Sequence, residues 1–327
     1  MKHFELPPTK HSAYTRAIRL EWLTIGYLLT AIAAIYLTLG NSQAMKTAWI
    51  EDMLSLIPPI VFLIADRIRQ RPPNEIFPYG YHRVVSIAYL VASFALFLVG
   101  ALLLADAALK LAAAEHPSIG TVELFGHHVW LGWLMEAALL YSAVPAIVLG
   151  RLKVPLAREL HDKVLFADAK MNKADWLTAV AAMAGVLGIG LGLWWADAVA
   201  AAVISIDIVH DGFVNLRTVV TDLMDKRPTT VDDSAVDPLT TRVEREMHDL
   251  NWVREARARL REEGHVYFGE VFVVPKDGTA DLVERVREAH ERLLKLDWRL
   301  HDIVVAVTPE IEHDEAGLER ESQSDHE

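Results

Sequence analysis

The sequence predicts an α-helical membrane protein with six transmembrane helices, followed by a small soluble α+β domain. Long uncharged runs fill the chain as far as about residue 225, whereas the stretch beyond it is dense in arginine, glutamate, aspartate and histidine. Hydrophobic residues make up 52% of the chain, more than is usual for a soluble protein, yet 23% of the residues are charged. We therefore expect a membrane-embedded half and a soluble half.

Six segments are long and apolar enough to cross a lipid bilayer. The hydrocarbon core is about 30 Å thick, so a helix that rises 1.5 Å per residue needs roughly 20 mostly apolar residues to cross it. The predicted spans are residues 19–40, 46–66, 84–112, 129–150, 163–190 and 194–215.

The loops between these spans differ in positive charge, and the difference predicts the topology. Arginine and lysine crowd the loop between spans two and three and the loop between spans four and five, whereas the alternate loops carry almost none. Cytoplasmic loops carry the excess of lysine and arginine. We therefore expect a multi-pass protein of the inner (plasma) membrane with both termini in the cytoplasm.

The soluble part has the patterns of a small open sheet covered by helices on one face. Its order is αββαβ, with amphipathic helical periodicity alternating with short β-rich runs. The elements are expected at residues 236–250, 252–260, 266–274, 279–296 and 301–307. The acidic tail is poor in hydrophobic residues, so we predict that it is disordered. The predicted domains are residues 1–225, 226–310 and 311–327.

Composition excludes several functions. A net charge of −12 leaves no basic footprint for nucleic acid. There are no cysteines, so any metal site is built from nitrogen and oxygen ligands. No arrangement of a nucleophile beside a general base is evident, so we do not expect an enzyme.

Polar residues inside spans two and five form the candidate functional site. Ionisable groups in a bilayer cost a few kcal/mol, so they usually face a cavity, a partner or a substrate path. If the two spans touch, their oxygen atoms could surround a divalent cation. A polar clamp between the helices, without a ligand, is the alternative. The set is Glu51, Asp52, Ser55, Asp168, Met171, Asn172 and Asp175.

Span six carries a second candidate cluster, Asp207, His210 and Asp211, at positions i, i+3 and i+4. A histidine flanked by carboxylates can hold a metal ion or pass a proton. The alternative is a group that reaches water at the inner headgroups, because long polar side chains near a helix end extend to the interface at little cost.

Several segments resemble the cation diffusion facilitator family over roughly residues 17–310. The segment Arg71–Arg83, RPPNEIFPYGYHR, is very like the family's loop between spans two and three. Further support comes from Ala167-Asp168 with Asp175 seven residues later, Ala196-Asp197, Leu223–Asp225 and the closing segment Ile303–Pro309, IVVAVTP.

The resemblance implies a homodimeric divalent-metal efflux transporter that exchanges metal for protons by alternating access. It also implies a ferredoxin-like cytoplasmic αββαβ domain that dimerises. A basic–acidic lock of the dimer is expected between Arg83 and Asp225.

The ligand positions of the family are only partly kept. Its span-two motif, Asp-x-x-x-Asp, falls on Glu51 and Ser55, and its span-five motif, His- or Asp-x-x-x-Asp, falls on Met171 and Asp175. The remaining carboxylate, amide and hydroxyl groups favour Mn²⁺, Fe²⁺ or Mg²⁺ over Zn²⁺. Two alternatives stay open: a transport-deficient membrane scaffold or partner subunit, and a cation or proton transporter that uses the span-six cluster.

Overall fold

The computed structural model describes residues 6–69, 71–124, 126–264, 266–278 and 280–311. The chain divides after Asp225 into two compact units. From residue 312 onwards, the tail for which we predicted disorder lies outside the described residues.

The first unit is helical, with one hairpin between its fourth and fifth helices. Its helices are α1 (His11–Thr38), α2 (Gln43–Leu54), α3 (Ile57–Arg69), α4 (Val84–Ala112), α5 (Leu131–Leu160), α6 (Lys163–Gly190) and α7 (Ala196–Leu223). The hairpin strands, β1 (Thr121–Leu124) and β2 (His127–Trp130), pair antiparallel. The sequence analysis did not anticipate this hairpin.

Five helical segments in the described part of the chain are long and apolar enough to cross a membrane. They are α1 with its preceding turn, α2 with α3, and α4, α5 and α7. Helix α6 is 28 residues long but is not among the five. Charged residues in its first half, including Asp168 and Asp175, make it less apolar than the others.

The second predicted span is not one continuous helix, which corrects our expectation for residues 46–66. Helix α2 ends at Leu54, and α3 begins at Ile57. Pro58 and Pro59 have no N–H and are tolerated in the first turn of a helix but not in its interior. The chain therefore ends one helix and begins another within the apolar segment.

Small residues let α4 and α7 approach closely. A Cβ atom added to Gly212 would lie 2.6 Å from the backbone nitrogen of Phe97, and one added to Gly100 would lie 2.8 Å from the Ile208 side chain. Close contacts of this kind are typical of helices that associate within membranes.

The second unit has the predicted element order. It contains α8 (Leu239–His248), β3 (Val253–Glu263), β4 (Val266–Pro275), α9 (Leu282–Leu296) and β5 (Leu300–Val307). The sheet order is β3-β4-β5, with β3 antiparallel and β5 parallel to β4. Buried apolar residues from both helices and all three strands form its core, among them Val243, Val271, Leu293 and Ile303.

A buried polar cluster ties the start of the second unit to its sheet. Asp237 accepts hydrogen bonds from the Leu239 N–H (2.8 Å), from Tyr267 (3.0 Å) and from Arg299 (2.7 Å). Burial opposes ionisation of Asp237, but the Leu239 N–H and the Arg299 charge outweigh it and hold the pKa of this carboxyl below its usual value. The ionised cluster therefore stabilises the folded unit at neutral pH.

Candidate functional site

Helices α2 and α6 meet at Glu51. The hydroxyl of Thr178 on α6 donates a hydrogen bond of 2.9 Å to Glu51 Oε1 on α2. Thr178 lies three residues after Asp175, one turn along the same face of the helix. The contact between spans two and five that the cation hypothesis requires is therefore present.

Four side-chain oxygen atoms on α6, on α2 and at the end of α2 are buried without a hydrogen-bond partner among the described residues. They are Glu51 Oε2, Ser55 Oγ, Asn172 Oδ1 and Asp175 Oδ2. Ser55, Asn172 and Asp175 are only 4%, 2% and 8% exposed. A buried polar group that lacks a partner costs about 1–3 kcal/mol, and more if it is charged. All four atoms are oxygens of residues on α2 and α6 or at the end of α2, and each carries this cost in the structure as described.

The Asp52 carboxylate is engaged by a different helix. Its Oδ2 accepts a hydrogen bond of 2.7 Å from Ser142 on α5. Both Asp52 and Asp175 nevertheless act electrostatically on Glu51. Carboxyl oxygens of three residues therefore lie in this region, and such oxygens are ligands that hard cations prefer.

Asp168, a member of the candidate set, is engaged by a buried lysine. It forms an ion pair with Lys153, which also donates to Glu21 Oε2 at 2.9 Å. All three side chains are almost fully buried. Lys153 belongs to the predicted loop between spans four and five, but it lies within α5, where it brings a positive charge to Asp168.

Met171, another member of the candidate set, contributes a sulfur atom rather than an oxygen. It lines a small cavity with Leu54, Tyr89, Ser93 and Asn215, among others. Its thioether is a soft ligand that suits Cu⁺ or Zn²⁺ better than Mn²⁺.

The span-six cluster lies on the outer side of α7. His210 and Asp207 are exposed, and His210 Nδ1 lies 3.6 Å from Asp211 Oδ1 with side chains 70% and 32% exposed. Nowhere in the described ranges do three His, Asp or Glu side chains converge closely enough to hold a metal ion. A cation at Glu51 and Asp175 would therefore need neutral oxygens as further ligands.

The predicted charge lock is formed within one chain. Arg83 Nη2 donates to Asp225 Oδ1, and Nη1 donates to the Leu223 carbonyl oxygen at 3.2 Å. Asp225 has a left-handed φ of 59°, just beyond the end of α7. The structure brings the two residues together, while the role of this pair in a dimer stays a prediction.

Sequence analysis missed the residues that hold the carboxylates in place. Thr178 and Ser142 fix Glu51 and Asp52 from α6 and α5. The spacing of Thr178 from Asp175 was a readable signal, whereas nothing in the sequence pairs Ser142 with Asp52.

A helical membrane unit with buried carboxylate, amide and hydroxyl oxygens is typical of proteins that move cations across membranes. The family profile of the cation efflux transmembrane domain matches residues 20–224. The chain therefore belongs to the cation efflux family, as the resemblance to cation diffusion facilitators predicted. This family consists of transporters rather than enzymes.

Curated relatives agree with this assignment at low identity. The chain is 28% identical to the manganese efflux system protein MneS of Bacillus subtilis (strain 168) over 179 residues, which cover 55% of this chain and 58% of MneS. It is 25% identical to MneP of the same organism over 261 residues, covering 77% and 80% of the two chains. It is 28% identical to the putative transporter MamV of Paramagnetospirillum magneticum (strain ATCC 700264 / AMB-1) over 214 residues, covering 63% and 59%.

Proposed function

We propose that the protein exports a hard divalent cation, with Mn²⁺ the first candidate, by proton-coupled alternating access. The observation that carries the proposal is the set of four buried oxygens on α2 and α6 that lack hydrogen-bond partners among the described residues. A cation bound there would satisfy Glu51, Ser55, Asn172 and Asp175 together.

Ligand chemistry supports Mn²⁺, Fe²⁺ or Mg²⁺ rather than Zn²⁺. Carboxylate, amide and hydroxyl oxygens suit hard cations, whereas zinc sites usually contain histidine or cysteine. Asp175 and Glu51 supply the negative charge, and Asn172 and Ser55 supply neutral oxygens. The names of MneS and MneP make manganese the metal to test first.

Protons would compete with the metal at Glu51 and Asp175, because a carboxylate must lose its proton to ligate. Inward proton flow would then drive metal efflux. We further propose that α6 completes a bundle of six spans in the plasma membrane, with both termini in the cytoplasm. Residues 226–310 would join two copies into a homodimer. The Arg83–Asp225 pair would help to hold this dimer together.

Binding of Mn²⁺ to the purified protein, followed by the electron paramagnetic resonance signal of free Mn²⁺, tests the proposed site. Wild type should bind Mn²⁺ more tightly as the pH rises. Glu51→Gln should weaken binding and flatten this pH dependence, because one ligand that must deprotonate is gone. A Glu51→Gln variant with the affinity and pH dependence of wild type would show that the site lies elsewhere.

A transport-deficient scaffold is the second candidate. It is favoured by the replacement of two family ligand positions, at Ser55 and Met171, and by the lack of a three-residue cluster of His, Asp and Glu in the described part of the chain. This candidate predicts that wild type binds no Mn²⁺ in the same titration.

A further inference from the structure

The break between α2 and α3 falls at Ser55, inside the proposed cation site. The Ser55 N–H still donates to the Glu51 carbonyl oxygen at 2.8 Å, so the helix continues to this point. Leu56 N–H then donates to Met53 O at 3.3 Å, a tighter turn that ends the helix. Ile60 N–H donates to Leu56 O at 3.3 Å, where the next helix starts.

Two prolines deprive the Ser55 carbonyl oxygen of the donors that a helix would provide. In a continuous helix this oxygen accepts from the N–H of residue 59, or from residue 58 in a tighter turn. Both positions are proline, which has no N–H. The next N–H along the chain, that of Ile60, is already donated to Leu56 O.

A carbonyl oxygen that has lost its helical donors can accept a cation instead. The C-terminal end of a helix carries partial negative charge on its last carbonyl groups, which favours a cation. Irregular backbone at membrane depth is tolerated where it lines a cavity, and carbonyl groups of broken helices coordinate cations in membrane transporters. The side-chain oxygen of the same residue is buried and has no partner among the described residues.

We propose that the main-chain carbonyl oxygen of Ser55 is a ligand of the transported cation, freed for that role by Pro58 and Pro59. It would take the place of the second carboxylate of the family's span-two motif. This inference rests on the proposed function, since it adds a fifth oxygen to Glu51, Ser55 Oγ, Asn172 and Asp175.

The substitution of a carbonyl for a carboxylate has a chemical consequence. A neutral carbonyl oxygen binds hard cations that take six or more oxygen ligands, and adds no negative charge. The site therefore keeps two carboxylates, enough to balance one divalent ion. It would discriminate against Zn²⁺, which prefers four ligands that include nitrogen or sulfur.

Restoring the missing N–H tests this role. Pro59→Ala supplies a donor for the Ser55 carbonyl and lets the helix continue. The dissociation constant for Mn²⁺ should rise about tenfold or more, in the range seen when groups around a metal site are altered. The matched control is Pro155→Ala, which removes an exposed proline inside α5, and it should bind Mn²⁺ as wild type does.

Infrared spectroscopy of wild-type protein tests the same carbonyl without relying on a proline variant. Protein labelled with [1-¹³C]serine should show a shift of a ¹³C amide I band when Mn²⁺ saturates the site. Ser55→Thr keeps a hydroxyl group but removes the label from position 55, so the shifted band should be missing. Absence of any metal-dependent ¹³C shift in wild type would overturn the inference.

The remaining outcomes separate this inference from the proposed function. If Asp175→Asn abolishes Mn²⁺ binding but Pro59→Ala binds normally, the cation site stands and the carbonyl ligand is wrong. If Asp175→Asn itself binds Mn²⁺ like wild type, the proposed site is wrong and the inference falls with it.

Discussion

Replacing Asp175 with asparagine should stabilise the protein without metal and remove its response to Mn²⁺. Asp175 is 8% exposed and Oδ2 has no hydrogen-bond partner among the described residues. An aspartate at the centre of a membrane helix costs about 2.5–3.5 kcal/mol on insertion scales. Asparagine has nearly the same shape without the charge, so the metal-free variant should gain roughly 1–2 kcal/mol.

Added Mn²⁺ should stabilise wild type but not the Asp175→Asn variant. A ligand that binds only the folded state adds RT ln(1 + [L]/Kd), about 2.7 kcal/mol when its concentration is 100 times Kd. Wild type should therefore melt at a higher temperature as Mn²⁺ is added, and Asp175→Asn should not. Thermal unfolding in detergent, followed by far-ultraviolet circular dichroism, measures both effects.

Asp207→Asn is the comparison for this experiment, because it removes a carboxylate that is exposed on α7. It should keep the full stabilisation by Mn²⁺. An Asp175→Asn variant that is less stable than wild type without metal, yet gains as much from Mn²⁺, would show that this carboxylate is part of a structural clamp rather than a cation site.

Three further predictions address specificity, topology and pH. The double change Ser55→Asp with Met171→His restores the family's ligand types and should move binding preference from Mn²⁺ toward Zn²⁺, measured by competition titration. The chain has no cysteine, so single cysteines can be introduced and labelled one at a time. A cysteine at Gly120 should react with a membrane-impermeant thiol reagent from outside, and one at Arg158 should react only after permeabilisation. Labelling of Arg158→Cys in intact cells would contradict the topology. Asp237→Asn should lower the free energy of urea unfolding of the isolated second unit by about 1–3 kcal/mol at neutral pH. The difference should shrink in acid, since a carboxyl whose pKa is lowered by folding loses its stabilising effect as the pH falls through that pKa.

Local patterns were enough to predict the elements of this fold. Hydropathy placed α4 and α6 at their observed bounds. Helix α1 begins about two turns before its predicted span, at His11, and α5 and α7 continue about three and two turns beyond theirs, to Leu160 and Leu223. Periodicity gave the order of helices and strands in the second unit. Both signals depend on neighbours in the sequence, so they can be read without knowing which helices touch.

The break in the second span was also readable, because adjacent prolines cannot continue a helix. Averaged hydropathy hid it, since Pro58 and Pro59 lie in an otherwise apolar run. The same average also hid the charged first half of α6, which is not among the five segments that are apolar enough to cross a membrane.

Long-range pairing was not predictable from one sequence. The sequence analysis placed Asp168 in one candidate set with Asn172 and Asp175, but only the structure brings Lys153 from α5 to the Asp168 carboxylate. The ion pair with Lys153 compensates the Asp168 carboxylate, so the proposed cation site relies on Asp175 and Glu51.

Transport of Mn²⁺ into proteoliposomes tests the central claim most directly. With the lumen more acidic than the outside, wild type should accumulate Mn²⁺ and move protons outward, and Asp175→Ala should do neither while remaining folded. His210→Ala should transport as wild type does. Normal transport by Asp175→Ala together with loss of transport in His210→Ala would contradict the account and assign the path to the span-six cluster.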